Sequence, residues 1–180
     1  MSIIVWDTET TGLLVPEISG LDKQPYIIEL YAIKLDDDLN VCEHLQLWCK
    51  PSISIPDEVS NIHGYTNEFV KDKKPFIGVW REFAEFVLGA RSMVGHNLQF
   101  DKQVLYYELQ RINKHLNFPW PPGAVCTVEE IQKQKGYRMN LNDLHAELFG
   151  RGIEGAHHGA ADVEATVNVY KEMVKREWIT

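Results

Sequence analysis

The sequence predicts an α/β fold: a mixed five-stranded sheet, an antiparallel meander plus parallel strands, flanked by helices. Three observations carry this expectation. The first fifty residues hold three apolar, β-prone runs separated by polar returns. Later strand candidates alternate with segments of helical period. No repeat, low-complexity tract or Gly/Ser linker interrupts the 180 residues, so a single domain over 1–180 is expected.

Residues 3–7 read as a buried strand and 26–35 as a second, followed by an Asp36-Asp37-Asp38-Leu39-Asn40 turn. Residues 45–49 give a third strand, stopped by Pro51. Phe76, Val79, Trp80, Phe83, Phe86 and Val87 recur at helical spacing and predict one amphipathic helix on the sheet. Residues 92–95 form a short apolar strand candidate, with a helix from about Asp101 to Arg111. After Pro119, Pro121 and Pro122, residues 124–127 supply the fifth strand. Helices over 128–135, 142–149 and 162–175 complete the chain; in the last, Val163, Val167, Tyr170 and Val174 form one apolar stripe.

Composition narrows the function. No apolar run approaches the roughly 20 residues of a membrane span. The opening Met-Ser-Ile-Ile-Val-Trp-Asp lacks a basic n-region, so a cytoplasmic protein is expected. Cys42, Cys49 and Cys126 are an odd set without a Cys-x-x-Cys pair, which argues against a disulfide framework. Cys42, His44 and Cys49 lack both the usual zinc spacing and a fourth ligand. The net charge of −8 argues against a long duplex footprint, which needs clustered Lys and Arg.

The strongest chemical signal is Asp7-Thr8-Glu9-Thr10-Thr11-Gly12. Residues two apart on a strand share a face, so Asp7 and Glu9 set two carboxylates side by side where a buried strand ends. Unpaired buried carboxylates are costly, and a hard cation with oxygen ligands would relieve them. Taken alone, Asp-x-Glu also fits a polar strand end facing solvent. Two more segments add acids: His96-Asn97-Leu98-Gln99-Phe100-Asp101, and His157-His158-Gly159-Ala160-Ala161-Asp162. Asp101 and Asp162 each open a helix, where capping is the plain alternative role.

In this order, the three segments resemble the exonuclease motifs of the DEDD superfamily, specifically its DEDDh branch of 3′→5′ exonucleases, the group of epsilon proofreading subunits and ribonuclease T. Asp7 and Glu9 match the first motif, Asn97 with Phe100-Asp101 the second, and His157 with Asp162 the third. Ile27-Ile28-Glu29-Leu30, Ile62-His63-Gly64-Tyr65-Thr66 and Leu141-Asn142-Asp143-Leu144 resemble the stretches between them. The segment 14–24 is longer than usual, and His158-Gly159 replaces a more common pair.

The resemblance implies a ribonuclease H-like sheet and hydrolysis of terminal phosphodiesters to nucleoside 5′-monophosphates. It further implies two Mg²⁺ ions, with Mn²⁺ able to substitute, held by Asp7, Glu9, Asp101 and Asp162. His157 would be the general base, since it alone has the DEDDh spacing to Asp162. Thr10, Thr11, Gly12, His63, Asn97 and Phe100 are the candidates for holding the terminal nucleotide, and Phe100 equally fits a core position. The expected partners are single-stranded DNA or RNA 3′ ends and no membrane. The main expectation is a DNA exonuclease acting alone, because the chain ends soon after its last helix. An RNA-trimming enzyme, a proofreading subunit of a polymerase and a silent nucleic-acid-binding module are the alternatives.

Overall fold

The computed structural model describes residues 1–155 and 159–179. Five strands form one sheet: β1 (Ser2–Thr10), β2 (Ile27–Leu35), β3 (Val41–Trp48), β4 (Ala90–Gly95) and β5 (Gly123–Cys126). Their spatial order is β3-β2-β1-β4-β5. The β1–β2 and β2–β3 pairs are antiparallel, whereas β4 runs parallel to both β1 and β5. The expected meander and mixed sheet are both present, in the ribonuclease H-like arrangement.

β1 is central, which explains why Ile3, Ile4, Val5 and Trp6 are consecutive apolar residues rather than an alternating pattern: both faces are covered. On one face Ile4, Trp6 and Leu30 pack against Phe83 and Phe86 of α3 (Trp80–Val87) and Val104 and Leu105 of α4 (Leu98–Arg111). On the other face Ile3, Val5 and Ile33 meet Val163, Val167 and Tyr170 of α7 (Gly159–Lys175). The far side of α7 is covered by α5 (Thr127–Lys135) and α6 (Leu141–Phe149), through Ile131, Leu144, Val169 and Met173. Among the described residues, no helix is long and apolar enough to cross a membrane.

Several boundaries differ from expectation for local reasons. The stripe 76–87 is split into a 3-10 turn, Phe76–Gly78, and α3, because the chain tightens through Gly78 N–H to Pro75 O and Val79 N–H to Phe76 O bonds. α4 starts at Leu98 rather than Asp101, since Asn97 adopts φ 70° and turns the chain directly out of β4. Two short helices, α1 (Asp57–His63) and α2 (Asn67–Val70), fall where no period is long enough to read. The 14–24 segment carries two 3-10 turns and is pinned by Arg111, which donates to the carbonyls of Leu21, Gln24 and Pro25 at 2.7–3.1 Å. Cys49 is buried in the core against α3 while Cys42 is exposed, so the two thiols do not share a site.

Candidate active site

The carboxyl ends of the parallel strands β1 and β4 lie together, beside the point where the sheet order reverses. This is where open α/β sheets leave a crevice for ligands. β1 stays paired through Glu9↔Glu29 before a bulge precedes Thr10, so it delivers Asp7 and Glu9 on one face. That face continues from Ile3 and Val5 and is the one α7 covers. α7 brings Asp162 in its first turn, where the positive end of the helix dipole favours an anion. One oxygen each from Asp7, Glu9 and Asp162 lies within 4.8 Å of the others.

Asp101 arrives from the opposite face, in the first turn of α4. It does not cap the helix. Its Oδ1 instead accepts from the backbone N–H of Thr8 at 3.0 Å and from the Thr8 hydroxyl at 2.7 Å, which fixes the buried carboxylate against β1. Thr8 points away from Asp7 and Glu9, so this strand end presents acids on one side and anchors an acid on the other.

Burial raises the Asp7 carboxyl well above its ordinary range, and the charges of Asp101, Glu9, Asp162 and Glu29 push it further. Glu9 rises to about 8, first by burial and then by Asp162, Glu29 and Asp101. Asp101 rises to about 7 by burial, although the Thr8 hydrogen bonds pull the other way. Asp7, Glu9 and Asp101 enter no ion pair among the described residues. Carboxylates gathered from three segments, Asp7, Glu9 and Asp162 within 4.8 Å and Asp101 buried against Thr8, are a donor set suited to hard divalent cations. The described members of the cluster, Asp7, Glu9 and Asp162, offer carboxylate oxygens.

The neighbouring positions vary in how directly they face this site. The Thr10 hydroxyl donates to Gly12 O at 2.7 Å, and the Thr11 hydroxyl accepts from Tyr26 N–H at 3.0 Å. Both side chains therefore shape the loop, and the Thr11 N–H donates to Tyr26 O at 2.9 Å. A Cβ at Gly12 would meet nothing within 4 Å, so this backbone borders open space. His63 is buried, its Nδ1 accepting from Tyr65 N–H at 3.0 Å. Asn97 is exposed and accepts from Arg138 at 3.2 Å. Phe100 is half-buried and packs on the core, so the core reading holds for at least part of its ring. His157 and its neighbour His158 lie outside the described residues.

Sequence reasoning missed one member. Glu29 is 1% exposed, opposite Glu9, and accepts from Gln46 Nε2 at 2.6 Å and the Tyr65 hydroxyl at 2.8 Å. Gly159, at the start of α7, abuts it: a Cβ there would lie 2.7 Å from Glu29 Oε2. The available signal was a lone acid inside the apolar run Ile27-Ile28-Glu29-Leu30.

A family of exonucleases matches residues 4–170. The chain belongs to that exonuclease family. Together with the motif pattern, this makes it a 3′→5′ exonuclease of the DEDD superfamily. This exonuclease is 33% identical over 166 residues to the DNA polymerase III subunit epsilon of Rickettsia typhi, covering 88% of this chain and 69% of that one. Against the epsilon subunit of Pasteurella multocida it is 28% identical over 176 residues, covering 94% and 67%. The chain thus spans about two thirds of the length of these relatives. The nuclease domain of 3′hExo, a DEDDh family member solved with rAMP, shares the fold at TM-score 0.77 and 18% identity, with 97% of this chain and 92% of that one aligned.

Proposed function

We propose that this exonuclease removes nucleotides singly from the 3′ end of single-stranded or frayed DNA, releasing nucleoside 5′-monophosphates. The observation that carries the reading is the convergence of Asp7, Glu9 and Asp162 within 4.8 Å, with Asp101 locked beside them by Thr8. Asp7, Glu9, Asp101 and Asp162 would hold two Mg²⁺ ions, or Mn²⁺ in their place. Bound there, the ions supply Lewis acidity toward the scissile phosphate and lower the pKa of water.

The chain's own residues do the rest. His157, five residues before Asp162 in the sequence, takes the proton from the attacking water. An imidazole of ordinary pKa, about 6.5, suits that task at neutral pH. The backbone of Thr10, Thr11 and Gly12, with His63, Asn97 and Phe100, positions the terminal nucleotide. Glu29 keeps Tyr65 and the start of α7 in register with Glu9. Similarity to epsilon subunits favours a second reading of the cellular setting, in which the chain works with a polymerase; co-purification of a polymerase from the native host tests it.

The deciding experiment is a time course on a 5′-labelled DNA strand with Mg²⁺, beside a matched RNA. The expected product is a ladder shortening by one nucleotide at a time, faster on DNA and stopped by EDTA. Immediate release of the label as a mononucleotide, or hydrolysis indifferent to EDTA, would contradict the proposal.

A further inference from the structure

A row of aromatic rings leaves the carboxylate site and runs to the edge of the sheet. In the strand pairing, Glu9 opposes Glu29 and Glu29 opposes Trp48, so all three side chains stand on one face. Glu29 holds the Tyr65 hydroxyl at 2.8 Å. The Tyr65 ring stacks on Phe69 with centroids 5.1 Å apart and 28° between planes, and Phe69 meets Trp48 edge-on at 6.1 Å. Phe69 is nevertheless 41% exposed, on the four-residue helix α2.

Charge follows the same line. The Lys73 ammonium lies 4.8 Å from the Phe69 ring centre and 5.1 Å from that of Trp48. Lys50 is tied to the same turn, donating to Lys71 O at 3.0 Å, with its backbone N–H on Lys74 O. Lys71 is paired with Glu68, whereas Lys50, Lys73 and Lys74 form no carboxylate pair among the described residues. Glu68 and Asp72 offset part of this charge. Even so, four cations against two acids make a basic edge on a protein of net charge −8.

We propose that Tyr65, Phe69, Trp48 and Lys73 form a track for single-stranded DNA, seating the nucleotides that lie 5′ of the one being cleaved. The proposal deepens the nuclease reading and rests on it. Tyr65, set between His63 and Phe69, and Trp48 hold the Phe69 ring in place. Every base has a π-face, so a base laid on the exposed part of Phe69 is held without regard to sequence, and the Lys73 ammonium beside it meets the backbone phosphates. A paired duplex keeps its bases stacked inside and cannot use the track. The track therefore selects unpaired strands by chemistry rather than by width. It also explains how so acidic a chain holds a polyanion: the contact is local, and it begins where the acids end.

The test measures affinity and length dependence together. A 5′-fluorescent twelve-nucleotide oligothymidylate is titrated by anisotropy with Ca²⁺, against the unaltered protein, Phe69→Ala, Phe69→Trp and Lys73→Ala. Phe69→Ala is expected to weaken binding about tenfold, and Phe69→Trp to restore it. Lys73→Ala should weaken binding and flatten the log Kd against log salt plot by about 0.7. With Mg²⁺, the ratio of kcat/KM on the twelve-nucleotide strand to that on the dinucleotide should fall about tenfold in Phe69→Ala. Unchanged affinity and an unchanged ratio in both alanine variants would overturn the track. Failure of the unaltered protein to release any mononucleotide would instead overturn the nuclease reading, and the anisotropy series would still report on the track.

Discussion

The face of the sheet beneath α7 is built from the same two strands and the same helix along its length, yet its two halves face opposite problems. Toward the start of β1, Ile3, Val5, Ile33 and Leu35 meet Val163, Val167 and Tyr170 in a dry core. Toward its end, the next β1 residues on that face, Asp7 and Glu9, meet Asp162, with Glu29 opposite Glu9. Each apolar side chain buried in the first half contributes roughly 1.5–3 kcal/mol. In the second half, burial and mutual repulsion raise the Asp7 and Glu9 pKa values, so ionising them works against the fold. The apolar half thus holds an unfavourable charge cluster at fixed geometry, which bound cations would neutralise.

Removing an acid breaks this contrast most severely. Asp7→Ala should reduce steady-state release of mononucleotides at least about 10³-fold, as loss of electrostatic stabilisation of the reacting phosphate implies. The same substitution should raise the melting temperature of metal-free protein by about 2–4 °C per kcal/mol of repulsion relieved. His157→Ala should cost about 10²–10⁴-fold in rate while leaving Mn²⁺ affinity intact by calorimetry. Full activity in that variant removes the histidine from the mechanism.

The apolar half responds in the opposite sense. Val163, fully buried against the sheet, should lose about 2–3 kcal/mol of stability on substitution by Ala, read as a shift in urea midpoint at constant m. Activity per folded molecule should be preserved. A matching loss of kcat would show that the two halves are not separable.

The smallest expected effect is a pH dependence. Glu9 rises from an ordinary 4.5 to about 8 in the folded chain, and Asp101 from 3.8 to about 7. Between those limits the folded state binds more protons than the unfolded one, so stability falls as pH rises. Metal-free protein should therefore melt lower at pH 8 than at pH 6, and Mg²⁺ should narrow the gap. Melting that is flat or higher at pH 8 would mean that the acids are compensated by a partner.

Most of the fold was legible because its signals are local and strong. The apolar run of β1 and the stripe on α7 each report a buried face directly, and Asp-x-Glu on a strand fixes a shared direction. The acids were found through motif order rather than periodicity, since sequence spacing alone does not say that α4 and α7 approach β1 from opposite faces. Glu29 escaped because one acid in an apolar strand acquires meaning only when the register sets it opposite Glu9. The Tyr65–Phe69–Trp48 row escaped for a related reason. Its rings come from β3, from the turn after α1 and from α2, which are too short or too far apart to show a period.

Calorimetric titration of Mn²⁺ into metal-free protein at pH 7, in buffers of different ionisation enthalpy, tests the carboxylate cage most directly. The account predicts two ions per chain, proton release on binding because Glu9 and Asp101 still hold protons at that pH, and weakened binding in Asp7→Asn and Asp162→Asn. Binding that releases no protons and is indifferent to both substitutions would contradict it.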